Sequence, residues 1–273
     1  MSDWDDICQS IVRRIAAGDS EEALEMLAAA EKDFGYEPGF HLLRGDVLWT
    51  GEDLDEGFRA YKKALELAPD SVDALCAMAM ALYEFLDFKK AHDMATRALD
   101  LADPADVVRA DLYDVLSCLA ERDGDCRESD RLAAMATEID PKAFPPPYRM
   151  KEREFEEVVE EAILALPPEF LKALRENLAI VIEPVPSMDT LEMSRPPLSP
   201  SLLGLYSGVP LPERESSSSP PDLPDVIHLF QRNIEREASS RDQVADQIAI
   251  TVYHEIGHYF GMGEEELEEL DLG

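Results

Sequence analysis

Residues Gly39–Asp70 read GFHLLRGDVLWTGEDLDEGFRAYKKALELAPD: two apolar-patterned runs around a short polar turn, closed by Pro69. Gly45 in the first run and Gly57 in the second are small enough to let paired helices approach, and a proline stops the second helix. The chain repeats this stretch. ALEMLAAAEKDFG, GFRAYKKALELAPD, AHDMATRALDLADP and SDRLAAMATEIDP align on Ala30, Ala64, Ala98 and Ala136, at spacings of 34, 34 and 38 residues. A period near 34, with helix, turn and second helix in each unit, gives modules that cannot bury their apolar faces alone and so stack to make a core. The first half of the chain is therefore expected to be an all-α helical repeat domain.

The unit resembles tetratricopeptide repeats at Gly45, Gly57, Tyr61, Ala64 and Pro69, and the resemblance runs from residue 1 to about 141. It departs from the pattern in the first leading helix, which has no clear small residue, and in four extra residues of the last unit. Such stacks form a concave groove that holds peptide segments of partners, so the resemblance implies a protein or peptide partner. A spacer or an oligomerisation surface is the competing reading.

The charge narrows the partners further. Fifty-nine acidic against 25 basic residues give a net charge of -34. A surface that negative repels phosphate backbones and anionic headgroups, which argues against nucleic acid and membrane surface. Solubility in a salty interior and attraction of basic or unfolded peptides remain. The N-terminal residues MSDWDDICQS carry acids where a signal peptide needs bases, and no apolar run approaches the ~18 residues of a membrane span, so a cytoplasmic protein is expected. Cys8, Cys76, Cys118 and Cys126 form no CxxC pair and read as small buried hydrophobes.

Pro145, Pro146 and Pro147 cannot continue a helix and mark a boundary between a repeat domain at 1–147 and a second domain at 148–273. Beyond them Phe155, Val158, Val159, Ala162, Ile163 and Leu166 recur at helical spacing, and Pro168 can open another helix. LAIVIEPVP reads as a strand near a sheet edge. Residues 184–224 hold ten of the nineteen prolines and admit neither a long helix nor a central strand. In DVIHLFQRN, a further strand is expected with Val226, His228 and Phe230 on one face and Ile227 and Leu229 on the other; His228 reads as a half-exposed strand histidine rather than a ligand.

The last helix is expected to start at Ser240, with Gln243 at capping-box spacing. At ~100° per residue Val244, Ala245, Ile248, Ala249, Val252 and Ile256 gather on one side, and His254 and His258 lie nearly opposite. Two histidines at i and i+4 stand one above the other and can share a zinc ion, and Glu255, offset by ~100°, can reach a water there as general base. The run H-E-I-G-H-Y-F-G-M-G-E resembles the HExxHxxGxxH pattern of metzincins with glutamate in place of the third histidine. Gly261 then supplies a turn of positive φ that swings Glu264 back as third ligand, with Glu265 and Glu266 as rivals.

The second domain resembles the bacterial minimal zincin-like metallopeptidases from Glu154 to Leu270, on EFEEVVEEAILALPPEF, LLGLYSGVPLPER, LPDVIHLFQR and VYHEIGHYFGM. The resemblance implies a small α+β fold with one strand rimming the cleft and the zinc helix behind it. The whole chain is then an all-α tetratricopeptide-like repeat domain followed by a small α+β minimal zincin domain. The expected function is zinc-dependent peptide hydrolysis: Zn2+ on His254, His258 and Glu264, Glu255 as base, and repeats that recruit substrate. An extended substrate is expected to add at the strand around Val226, His228 and Phe230, with Tyr206 or Arg214 facing the oxyanion. A repeat-based adaptor with a structural or vestigial metal site is the alternative.

Overall fold

The structure is a computed structural model that describes residues 4–51, 53–166, 171, 178–216, 225–263, 266 and 267. The chain divides into two compact units, Met1–Ala120 with Arg127–Asp140, and Glu121–Cys126 with Pro141–Gly273.

Eight helices of 13 to 15 residues follow one another as α1 (Trp4–Ala16), α2 (Ser20–Phe34), α3 (Pro38–Thr50), α4 (Leu54–Leu67), α5 (Val72–Glu84), α6 (Phe88–Leu101), α7 (Val108–Arg122) and α8 (Cys126–Ile139). All four alanines of the sequence repeat are buried. Each second helix of the first three pairs opens on an aspartate, Asp19, Asp53 or Asp87, whose carboxylate accepts the amide of the residue three positions on. These caps are themselves 34 residues apart, so the turn chemistry repeats in phase with the core. In the second pair the Tyr61 ring lies directly against Gly45, where a Cβ would overlap it. The Tyr61 hydroxyl donates to Asp46 at 3.0 Å. Burial pushes the Asp46 carboxyl up to about 6, against the Tyr61 hydrogen bond, with the Asp73 charge adding to the rise. Cys76 is buried, and its thiol is pushed up to about 12 by burial and then by Asp111, Asp73 and Asp46. Cys126, by contrast, is exposed at the start of α8, so the expectation of burial fails there.

The second unit contains α9 (Glu152–Leu164), β1 (Leu178–Glu183), α10 (Met188–Leu191), β2 (Gly204–Ser207), α11 (Leu211–Ser216), β3 (Asp225–Phe230), α12 (Gln231–Arg236) and α13 (Arg241–Tyr259). The helix expected from Pro168 falls outside the described residues. The strand order is β1-β3-β2, with β3 parallel to β1 and antiparallel to β2. One core joins Phe155, Val158 and Val159 of α9, Ile227 and Leu229 of β3, and Val244, Ile248, Val252 and Ile256 of α13. This is the apolar stripe expected for the last helix. Ser240 caps α13 by accepting the Gln243 amide, while the Gln243 side chain accepts from the Ser239 amide. The fold is thus a helical repeat domain followed by a small α+β domain.

A buried carboxylate, Glu121, belongs to the second unit and receives Arg149, Arg232 and Arg236 at 2.8 to 2.9 Å. Burial alone would raise its carboxyl, but the guanidiniums of Arg236, Arg149 and Arg232 outweigh burial and hold it below the usual range. Among the described residues no helix is long and apolar enough to cross a membrane.

Candidate metal centre

On α13 the buried stripe turns His254 and His258 away from the core, and both are partly exposed. Their Nε2 atoms stand 2.9 Å apart, with ring centroids at 4.6 Å. Two ring nitrogens on one tetrahedral zinc at ~2.0–2.1 Å are about 3.3 Å apart, which a small side-chain rotation reaches from the observed separation. His258 Nδ1 lies 3.2 Å from the Met262 carbonyl. A carbonyl only accepts, so this contact calls for the proton on Nδ1 and leaves His258 Nε2 to accept from His254 Nε2, a hydrogen bond that a shared metal would replace. The two ring nitrogens therefore fit two of the four positions of a zinc ion.

The turn beyond the helix has the geometry that the sequence requires of Gly261. Its φ is +83°, the Gly261 amide donates to His258 O at 2.9 Å, and the Met262 amide donates to Gly257 O at 3.0 Å. These two bonds make a Schellman motif with glycine at the left-handed position. The chain then folds back: Leu267 is fully buried, and its side chain occupies the place that a Cβ on Gly257 would take. Glu264 and Glu265 lie outside the described residues. Glu266 Oε2 accepts the Gly263 amide at 3.1 Å, an engagement that competes with metal binding. Among the described residues no group of three or more His, Cys, Asp or Glu forms a metal cage.

Glu255 is more enclosed than its position beside the histidines predicts. It is 6% exposed, and its Oε2 accepts the backbone amide of Tyr206 at 2.5 Å. Gly204, two residues earlier on β2, makes the approach possible: a Cβ there would stand 2.7 Å from Thr251 Cγ2 and 3.0 Å from Glu255 Cγ and Oε1. Sequence reasoning missed Gly204. A glycine in the short apolar run LLGLYS was the available signal, since strand glycines mark close approach.

The substrate-binding expectations need correction. β3 is the central strand and is paired on both sides, so no substrate strand can add at Val226–Phe230. Alternation puts Ile227 and Leu229 in the core with α13, and Val226, His228 and Phe230 on the other face of the sheet. Phe230 is fully buried, and His228 Nδ1 lies 2.8 Å from Glu183 Oε2. Tyr206 does lie on β2, an outer strand of the sheet. Its hydroxyl donates to buried Asp225 at 2.8 Å and its ring meets Tyr259 edge-on at 5.9 Å, contacts that brace the side chain. The Arg214 side chain lies outside the described part.

None of the curated proteins matches the chain. Among solved structures, a MamA RS-1 ArsTM double mutant is 22% identical over 50% of this chain and 74% of its own, with a TM-score of 0.41. Another structure of MamA is 19% identical over 47% and 73%, with a TM-score of 0.39. Likeness at this level adds nothing to the repeat architecture, which stands on the helices themselves. Residues 175–273 match the family described as zincin-like metallopeptidase. The part of the chain that carries the two convergent histidines and the enclosed glutamate is thus the part that is similar to the zincin-like metallopeptidases.

Proposed function

We propose that the protein is a zinc-dependent peptidase whose repeats recruit a protein partner or substrate. The observation that carries this reading is the convergence of His254 and His258 Nε2 at 2.9 Å. His254 and His258 hold the metal, with Glu264 as third ligand and Glu265 as its rival. Glu266 is disfavoured by its bond to the Gly263 amide. Bound zinc supplies a Lewis acid that polarises the scissile carbonyl and lowers the pKa of water toward ~7.

Glu255 acts as general base. It takes a proton from the attacking water as the water oxygen joins the carbonyl carbon, and it delivers that proton to the amide nitrogen as the C–N bond breaks. One water is consumed, and an acid and an amine are released. The Tyr206 amide and the space at Gly204 keep the carboxylate in one rotamer for both transfers. An extended peptide along β2 would lie beside Glu255, with backbone hydrogen bonds setting its register.

One observation favours the competing reading, an adaptor with a structural metal site: the Glu255 carboxylate is already engaged by the Tyr206 amide. Metal content measured alongside cleavage of casein and a peptide library separates the two. Hydrolysis predicts about one zinc per chain, cleavage products, and loss of both in His258→Ala. Zinc without cleavage supports the adaptor, and neither zinc nor cleavage overturns the assignment.

A further inference from the structure

We propose that a cavity formed by α1, α2 and the residues just after α2 is a docking site for a basic amphipathic segment of a partner protein. It takes a bulky apolar side chain inside and a Lys or Arg at its rim. This goes beyond the hydrolase reading: it rests on the recruitment half of that reading and not on the metal. The cavity has a volume of about 530 Å³ and is walled by Ile7, Met26, Ala29 and Phe34, with Asp33 and Tyr36 also lining it. That volume suits one or two large side chains. Tyr36 is 67% exposed, an aromatic ring left at the surface beside an apolar hollow.

Charge selects the occupant. Arg14 is committed to Asp19 and Glu22 and Arg44 to Glu31, so Lys32 and Arg13 are the cations left against the surplus of acids, and none of the described residues pairs with Asp33. Residues 1–37 carry ten acids and three bases. A second copy of this chain would bring the same net charge of -34 to the contact and be repelled. A partner helix with apolar side chains at i, i+3, i+4 and i+7 and lysines elsewhere meets both the hollow and the field around it.

The test is fluorescence anisotropy on the full-length protein with a labelled 16-residue peptide of leucines at helical spacing and lysines elsewhere. Two control peptides carry serine for leucine or glutamate for lysine. The Leu/Lys peptide should bind at least tenfold more tightly than either control. Ala29→Trp, a substitution at an exposed helix position that fills the hollow, should reduce its affinity to that of the serine peptide, and Asp33→Lys should weaken it at least threefold. Unchanged melting by circular dichroism verifies folding; should Ala29→Trp unfold, Tyr36→Ala takes its place, with at least a threefold loss expected. Equal affinity for the leucine and serine peptides, or wild-type affinity in the variant that stays folded, overturns the proposal. So does a concentration-dependent dimer in sedimentation that Ala29→Trp abolishes, which would assign the hollow to a second copy. His258→Ala should bind the peptide like wild type, so a failed metal assignment leaves this result standing.

Discussion

Gly45 in the repeats and Gly204 in the zincin-like unit both stand where a Cβ would collide with a side chain of a neighbouring element, yet the neighbours differ in kind. Against Gly45 lies the ring of Tyr61, an apolar body that fills the space between α3 and α4. Against Gly204 lie the Thr251 methyl and the carboxylate arm of Glu255, the latter held by the amide of Tyr206 on the same strand. The first glycine lets two helices pack, and the second lets a strand hold the carboxylate proposed as the base. Small residues in the two units thus answer to different demands, and loss of each should appear in a different measurement.

The buried carboxylate Glu121 gives the largest expected effect. Glu121→Ala leaves three partly buried arginines without their shared acceptor, and removing one partner of a buried charge cluster costs about 3–5 kcal/mol. The loss should appear as a lower denaturation midpoint at pH 7. Because the folded Glu121 carboxyl is held below its unfolded value, its stabilisation is present above about pH 4.3 and fades as pH falls through the folded value. Wild type and variant should converge in acid, and a constant gap down to low pH would contradict the arginine account.

Next in size is Gly45→Ala, in which overpacking against the Tyr61 ring should cost about 2 kcal/mol in chemical denaturation while zinc affinity and cleavage stay at wild-type values. Gly204→Ala should reverse that pattern. Its closest overlap, 2.7 Å with the Thr251 methyl, is milder than that of Gly45 with the Tyr61 ring, so it should cost about 1 kcal/mol of stability but lower kcat at least tenfold with little change in KM. Equal losses of stability and kcat in both variants would erase the distinction between a packing glycine and a positioning one.

The smallest effect concerns Asp46, whose pH dependence runs opposite to that of Glu121. Its folded pKa of about 6 lies above the unfolded value, so its contribution is fully present below about pH 4 and is lost as pH rises through 6. Asp46→Asn, which can still accept the Tyr61 hydroxyl, should match wild type near pH 4 and exceed it by about 1 kcal/mol at pH 8. This is well under the full equivalent of the shift because the carboxylate keeps partial contact with water. A variant less stable than wild type at pH 8 would mean that the ionised carboxylate is favoured there.

Much of this architecture was legible in the chain because it is local. The alanine period, Gly45 and Gly57 mark the helix pairs, and the phase of His254 and His258 against the Val244–Ile256 stripe places the histidines off the core. The Asp19, Asp53 and Asp87 caps went unread, although their 34-residue spacing is a turn signal. What sequence reasoning could not reach depends on partners far apart in the chain. Tyr206 and Glu255 are separated by 49 positions, and nothing in LLGLYS distinguishes a glycine that receives a carboxylate from one that makes a turn. The half-polar alternation of Val226 and His228 suggested an exposed edge. Strand pairing with both β1 and β2 is non-local, and it made β3 the centre of the sheet.

The division of labour at the site is tested most directly by Glu255→Gln. The amide oxygen of glutamine can still accept the Tyr206 N–H, so the shape is kept while the base is lost. Zinc content and melting temperature are therefore expected to match wild type, with peptide-library cleavage reduced at least a hundredfold. Cleavage at the wild-type rate by a zinc-loaded Glu255→Gln protein would contradict the role assigned to Glu255.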